Sequence, residues 1–155
     1  TGCTTLVKTE FAKSVLPFPD EYVHDWWLGI CAARNNRLEI VEESLIMYRI
    51  HDSNQTGILG GINGKRDYYE KRIKLVLYRS EILIKRFGKI DSIIQFKEYA
   101  ESRMNYYEKQ NLKNFHKLFK LRKFNNSTTY FEIILPFLPE KIFNFIITQI
   151  KKGRI

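Results

Sequence analysis

The chain has 155 residues, 44% hydrophobic and 14% aromatic, which excludes an intrinsically disordered protein. Five basic and eight acidic residues give residues 1–61 a charge of −3, whereas 21 basic and nine acidic residues give 62–155 a charge of +12. We therefore predict two regions, 1–61 and 62–155, that meet in the glycine-rich stretch 57–64.

Cys3 and Cys31 match neither a disulfide framework nor a zinc-ligand spacing, so we expect buried thiols in a reducing, cytoplasmic compartment.

The first region combines a helix with strand-like runs. A nearly all-apolar stretch predicts a buried helix over Asp25–Ala33. Before this helix, the residue types predict a β-like run, one or two helical turns and a proline-rich turn. After it, two runs rich in Ile, Leu, Val and Tyr predict strands. The three predicted extended segments are Thr4–Val7, Leu38–Ile40 and Ser44–Ile50.

The second region has helical periodicity throughout. Apolar residues recur at helical spacing, Gly88 is a stop signal, and Asn125–Ser127 is a break that contains the next cap. The predicted helical segments are 65–87, 91–110, 113–124, 130–135 and 140–150. The fold class predicted for the whole chain is α+β and mostly helical.

Three short motifs follow one another in the first region. Gly2-Cys3-Thr4 opens the chain, Val23-His24-Asp25-Trp26-Trp27 starts the apolar helix, and Tyr48-Arg49-Ile50-His51-Asp52-Ser53-Asn54 follows the last strand-like run. This order resembles the acceptor-side, C-terminal part of family 2 glycosyltransferases, the inverting group with the GT-A fold. The resemblance covers residues 1–61. It implies that the nucleotide-binding half of such an enzyme, with its Asp-x-Asp element, is absent from this chain.

Asp25 is the candidate catalytic residue. The resemblance implies that it is the base that accepts the proton of the acceptor hydroxyl, and a carboxylate fixed at a helix start suits that task. Taken by itself, an Asp at this position is also a common helix cap or dipole partner. The family motif is x-Glu-Asp, and here His24 replaces the Glu. This variant resembles the subgroup that builds bacterial surface polysaccharides.

The resemblance also implies an acceptor-binding surface formed by Gly2, His24, Trp26 and Trp27. Glycine permits close approach of the backbone to a sugar, and an aromatic face suits the C–H face of a sugar ring. Adjacent helix positions point about 100° apart, so Trp26 and Trp27 cannot both face one pocket. We expect one of them in the core and the other at the acceptor site, without distinguishing them; two core tryptophans are the alternative.

His51 is the candidate metal ligand. In the resembled fold, a histidine after the last core strand ligates the Mn or Mg ion that bridges the diphosphate, and Arg49 and Asn54 are placed to bind phosphate oxygens. The alternatives are a structural or exposed His51, a surface Arg49 and a turn Asn54. No Asp-x-Asp occurs among the 155 residues. We therefore expect a divalent metal only in the intact enzyme, and no turnover of nucleotide sugars by this chain alone.

Three interpretations of the basic region 62–155 remain open. The first is a helical extension that packs its apolar stripe against the catalytic half. The second is a module that attaches to an anionic membrane surface, and the third is a nucleic-acid binder. The run Lys113–Phe124 is basic and amphipathic, and the apolar stretch Tyr130–Ile150 is too interrupted to span a bilayer. This apolar stretch could instead lie in the membrane interface or in a homo-oligomer contact. Because no nucleic-acid motif is present, that interpretation is the least favoured.

The sequence therefore predicts the C-terminal fragment of an inverting glycosyltransferase for surface polysaccharide assembly. Its partners in the intact enzyme are a nucleotide-sugar donor and a glycan or lipid-linked glycan acceptor. The expected location is the cytoplasm, at the inner face of the cell membrane. The alternative function is a non-catalytic basic helical module that binds a membrane surface or a partner chain.

Overall fold

A computed structural model describes residues 2–47, 49 and 59–152. The chain forms two compact units, Thr1–Ser53 and Asn54–Ile155. The described residues are mostly helical, which confirms the helical part of the predicted fold class.

The first unit is built around one long helix. A 3-10 turn covers Gly2–Thr4, helix α1 covers Thr9–Ser14, and helix α2 covers His24–Arg34. An acidic residue in the first turn of α2 and a basic residue in its last turn both complement the helix dipole. The small core of this unit consists of Val15, Tyr22, Trp27, Leu28 and Cys31.

The predicted strands are wrong for the part of the chain that the structure describes. Residues 5–8 and 38–47 adopt no regular secondary structure, and no strand occurs in 2–47, 49 or 59–152. A strand requires a neighbour to accept its ladder hydrogen bonds, and no described segment supplies one. As a result the apolar side chains of 38–47 remain in solvent: Leu38, Ile40, Val41, Leu45, Ile46 and Met47 are all exposed.

The second unit begins with an almost continuous helical stretch. Helix α3 covers Lys65–Tyr68, a π-helical segment covers Tyr69–Lys74, and helix α4 covers Leu75–Phe87. Gly88 ends α4 with a φ of 81°, a left-handed conformation that glycine adopts without steric strain. Helix α5, Asp91–Glu108, then packs along α4.

Three shorter helices complete the second unit. Helix α6 covers Leu112–Lys120, α7 covers Asn126–Ile134 and α8 covers Glu140–Lys151, with 3-10 turns at Arg122–Phe124 and Leu135–Phe137. The side-chain oxygens of Asn111 and Asn125 accept hydrogen bonds from amides in the first turns of α6 and α7, at 2.8 and 3.0 Å. The sequence break at Asn125 therefore coincides with a helix cap.

Two apolar clusters form the core of the second unit. The larger consists of Ile62, Tyr68, Ile73, Leu135, Phe143 and Ile147. The smaller consists of Tyr99, Tyr106 and Leu118. Two lysines form hydrogen bonds with the backbone of the segment that precedes α3. Lys71 Nζ donates to the Gly61 carbonyl and Lys151 Nζ to the Ile62 carbonyl, both at 2.7 Å. Some of the positive charge in this region thus serves to hold the fold together.

A buried ion pair joins α5 to α7. Arg103 Nε and Nη2 donate to the two carboxylate oxygens of Glu132 at 2.8 and 2.5 Å, a bidentate arrangement. Tyr68 Oη also donates to Glu132, at 3.0 Å, and Arg103 Nη2 donates to the Arg72 carbonyl in the π-helical segment, at 2.7 Å. Burial, reinforced by the negative charge of Glu132, raises the pKa of Tyr68 far above its usual value. No local pattern in the sequence predicts this network, because its members are far apart along the chain.

Candidate acceptor site at the start of helix α2

The carboxylate of Asp25 is fixed in the first turn of α2. Val23 precedes the helix in an extended conformation, and Asp25 is its second residue. Asp25 Oδ1 accepts a hydrogen bond from the backbone amide of Trp26 at 2.8 Å, and the side chain is only partly buried. This hydrogen bond stabilises the first turn of the helix. It also holds an accessible carboxylate in one orientation, as a general base requires.

The glycine motif and the helix start lie together in the first unit. A Cβ atom placed on Gly2 would come within 2.9 Å of His24 Nε2, so the backbone at Gly2 packs closely against the imidazole. The side chain of His24 is otherwise exposed. Two of the four predicted acceptor-binding residues, separated by 22 positions in the sequence, are therefore neighbours next to Asp25.

The two tryptophans have different environments, which resolves the alternative left open by the sequence. Trp27 is 1% exposed, donates from Nε1 to the Val15 carbonyl at 3.0 Å, and packs against Tyr22 with ring centroids 5.4 Å apart. Trp26 is 56% exposed. The assignment of Trp27 to the acceptor surface is therefore corrected: its side chain is core, because it faces the turn after α1. Trp26 remains accessible to a ligand.

The predicted metal and phosphate residues are only partly described. His51 and Asn54 lie outside the described residues, and the side chain of Arg49 is exposed. Among the residues that the structure does describe, no group of three or more His, Cys, Asp or Glu side chains is placed to hold a metal ion. The divalent metal of the intact enzyme therefore stays a prediction.

The cysteine prediction is half right. Cys31 is buried in the core of the first unit, as expected, but Cys3 is exposed. Cys3 lies in the 3-10 turn Gly2–Thr4, which contains no buried residue, so its small sequence neighbours do not cover it.

A groove of about 410 Å³ lies in the second unit, and none of the predicted sites included it. It is lined by Tyr106, Gln110, Asn111, Leu112, Phe115 and Phe137. None of the predicted site residues that the structure describes lines it. The amphipathic run Lys113–Phe124 was the available signal, but the contribution of Phe137 depends on how α7 packs beside α6.

No protein-family model, curated protein or solved structure matches this chain. Across the described ranges, no helix is both long enough and apolar enough to cross a bilayer.

Proposed function

We propose that residues 1–61 form the acceptor side of an inverting glycosyltransferase, with Asp25 as its catalytic base. The observation that supports this best is the arrangement at the start of α2. The Asp25 carboxylate is oriented by the Trp26 amide, and Gly2 packs against the adjacent His24. In the proposal, this chain is the C-terminal part of the enzyme and does not turn over nucleotide sugars alone.

The chemistry assigned to Asp25 is a single proton transfer during displacement at the anomeric carbon. The acceptor hydroxyl oxygen attacks that carbon while the Asp25 carboxylate takes the hydroxyl proton. The bond from the anomeric carbon to the diphosphate oxygen breaks, and the nucleoside diphosphate leaves with the electron pair. Attack opposite the leaving group inverts the anomeric configuration. A positioned base contributes roughly 10²–10⁴-fold to such a step.

Trp26 is the proposed platform for the acceptor sugar. It follows Asp25 directly and its indole is more than half exposed, although large aromatic residues are usually mostly buried. In the proposal, the sugar C–H face packs on this indole and thereby brings one hydroxyl towards Asp25.

The exposed segment 38–47 also agrees with a partial glycosyltransferase domain. Its apolar side chains are accessible, and its sequence pattern favours a strand that has neighbours on a sheet. In the proposal, the nucleotide-binding half supplies those neighbouring strands and covers this apolar surface.

The test is a transfer assay on the polypeptide encoded by the complete reading frame, with panels of nucleotide sugars and acceptor glycans. Asp25→Asn should lower the transfer rate by about 10²-fold or more, because an amide cannot accept the proton. Asp20→Asn is the matched control, since Asp20 is an exposed acid in the turn before α2, and it should leave the rate unchanged.

Transfer at an undiminished rate by Asp25→Asn would remove Asp25 from the mechanism. The coding DNA upstream of the Thr1 codon tests the remainder of the proposal. An open frame of about 100 codons with a β-α-β pattern and an Asp-x-Asp is expected, on the size of a nucleotide-binding half-domain. A stop codon there would contradict it.

A further inference from the structure

Helices α6 and α7 and the turn after α7 carry a strip of large apolar side chains, five of which are exposed while Phe119 is half-buried. Phe115 stacks on Phe119 with ring centroids 5.7 Å apart, and Phe119 meets Tyr130 of α7 edge-on at 6.3 Å. Leu112 and Phe137, which are 87% and 69% exposed, line the groove described above together with Phe115. We call Leu112, Phe115, Phe119, Tyr130, Ile134 and Phe137 the apolar strip.

The spacing of these residues places them on one side of each helix. On α6 they stand at i, i+3 and i+7, and on α7 Tyr130 and Ile134 stand at i and i+4, with Phe137 a turn later. The helices bury a different face: Leu118 on α6 and Thr129 and Glu132 on α7 are the buried residues. The apolar strip is therefore not part of the buried core of this unit.

The same segment has a strongly one-sided charge. Residues 109–131 contain six basic residues and neither Asp nor Glu: Lys109, Lys113, Lys117, Lys120, Arg122 and Lys123. The five lysines are exposed, and no described carboxylate forms an ion pair with any of the six. Arg122 lies over the Phe119 ring, 4.2 Å from its centroid, so positive charge borders the strip directly. The next carboxylate, Glu132, is buried and paired with Arg103.

We propose that the apolar strip and its lysines form a docking surface for an anionic phospholipid bilayer. An amphipathic helix with lysines on its polar face and Leu and Phe on the other lies in the plane of the interface, with its apolar side chains between the acyl chains. Lys113, Lys117 and Lys120 reach anionic headgroups by extending along the helix surface. The groove beside Leu112 and Phe137 gives acyl chains an apolar wall.

Two other occupants fit the charges less well. A second copy of the chain would bring two surfaces of the same sign together, because each carries six basic residues over 109–131. A nucleic-acid duplex would satisfy the lysines but would leave Leu112, Ile134 and Phe137 in water, since phosphate backbones offer no apolar surface to them. A single strand could stack bases on the aromatic rings but would not match the aliphatic side chains of Leu112 and Ile134. An anionic bilayer satisfies both features together. The inference depends only on the second unit and is independent of the sugar-transfer proposal.

The test is co-sedimentation of the whole chain with vesicles of phosphatidylcholine containing about one third phosphatidylglycerol, and with vesicles of phosphatidylcholine alone. We expect salt-sensitive binding to the anionic vesicles and little binding to the neutral ones. Replacing Lys113, Lys117 and Lys120 by Gln should weaken binding on the order of 100-fold, at roughly fivefold per cation. The matched control replaces Lys85, Arg86 and Lys89 by Gln, which removes three exposed cations outside α6 and α7 and should have little effect.

A second variant separates lipid insertion from simple charge attraction. Leu112→Ser with Phe137→Ser keeps every charge and changes only exposed side chains, and should weaken vesicle binding roughly tenfold or more. Leu6→Ser, at a fully exposed leucine of the first unit, is its control. Circular dichroism establishes that each variant keeps its helices.

The proposal is overturned by any of three outcomes. The first is equal binding to both kinds of vesicle, or none to either. The second is binding to a single-stranded oligonucleotide that matches vesicle binding in strength and is insensitive to the Leu112 and Phe137 substitutions. The third is self-association, seen in analytical ultracentrifugation, that the same substitutions abolish.

Discussion

Arg103→Met should destabilise the second unit severely. The Arg103 side chain is 6% exposed and its guanidinium forms two hydrogen bonds with Glu132, whose side chain is 2% exposed. Met is also unbranched and apolar, but it removes both hydrogen bonds that Arg103 donates to Glu132. Tyr68 Oη is then the remaining described donor to this buried carboxylate. Breaking a buried pair in this way costs about 3–5 kcal/mol, which is a large part of the ~5–15 kcal/mol that holds a typical domain folded.

The double variant Arg103→Met with Glu132→Leu tests this reasoning. It removes both charges, so the remaining cost is mainly that of the Tyr68 hydroxyl, which loses its Glu132 acceptor, at about 1–3 kcal/mol. Adding Tyr68→Phe should recover part of the remaining deficit. The double variant should therefore be more stable than Arg103→Met alone, although it carries one more substitution.

Urea unfolding followed by far-ultraviolet circular dichroism measures these differences, since the second unit contains most of the helices. Tryptophan fluorescence is a separate probe of the first unit, because Trp26 and Trp27 are the only tryptophans of the chain. A loss below about 1 kcal/mol for Arg103→Met would refute the uncompensated-charge argument. So would a double variant as unstable as the single one.

Three further perturbations test the local structure. Trp27→Phe should cost about 1–3 kcal/mol, because it removes a buried hydrogen bond to a backbone carbonyl and part of a core side chain, whereas Trp26→Phe should stay within about 0.5 kcal/mol in the same urea titration. Asn125→Ala should cost about 1 kcal/mol by removing the α7 cap, and Asn126→Ala, one position later, should cost less. Burial raises the pKa of Tyr69 to about 12, so the folded state keeps a proton that the unfolded state loses above about pH 10. That contribution is complete below pH ~10 and is lost as the pH rises towards ~12, so Tyr69→Phe should flatten this alkaline decline in thermal stability; an unchanged slope would contradict the assignment.

The helices of the second unit were predictable from the sequence because their signals are local. The final helix was expected from Glu140, directly after Pro139, and α8 begins at that residue. The expected break at Asn125 is the cap of α7, and Gly88 ends α4. Each of these signals acts within about one helical turn and so can be recognised without knowing what packs nearby.

The extended segments could not be predicted in the same way. Residues 38–47 have a composition that favours strands, but the structure gives them no regular hydrogen-bonded partner. The β propensity of a residue reflects its fit to a sheet that already exists, rather than a preference of the isolated backbone.

At the candidate site, the sequence alone placed Asp25, His24 and both tryptophans at the start of one helix. The tertiary structure decided which side of that helix is covered: the turn after α1 buries Trp27 through the Val15 carbonyl and leaves Trp26 in solvent. It likewise paired Arg103 with Glu132, 29 positions apart. Local pattern determines where a helix starts and stops, because its hydrogen bonds join residues four apart. Burial and the pairing of charges depend on which distant segments pack together, and no short window of sequence contains that information.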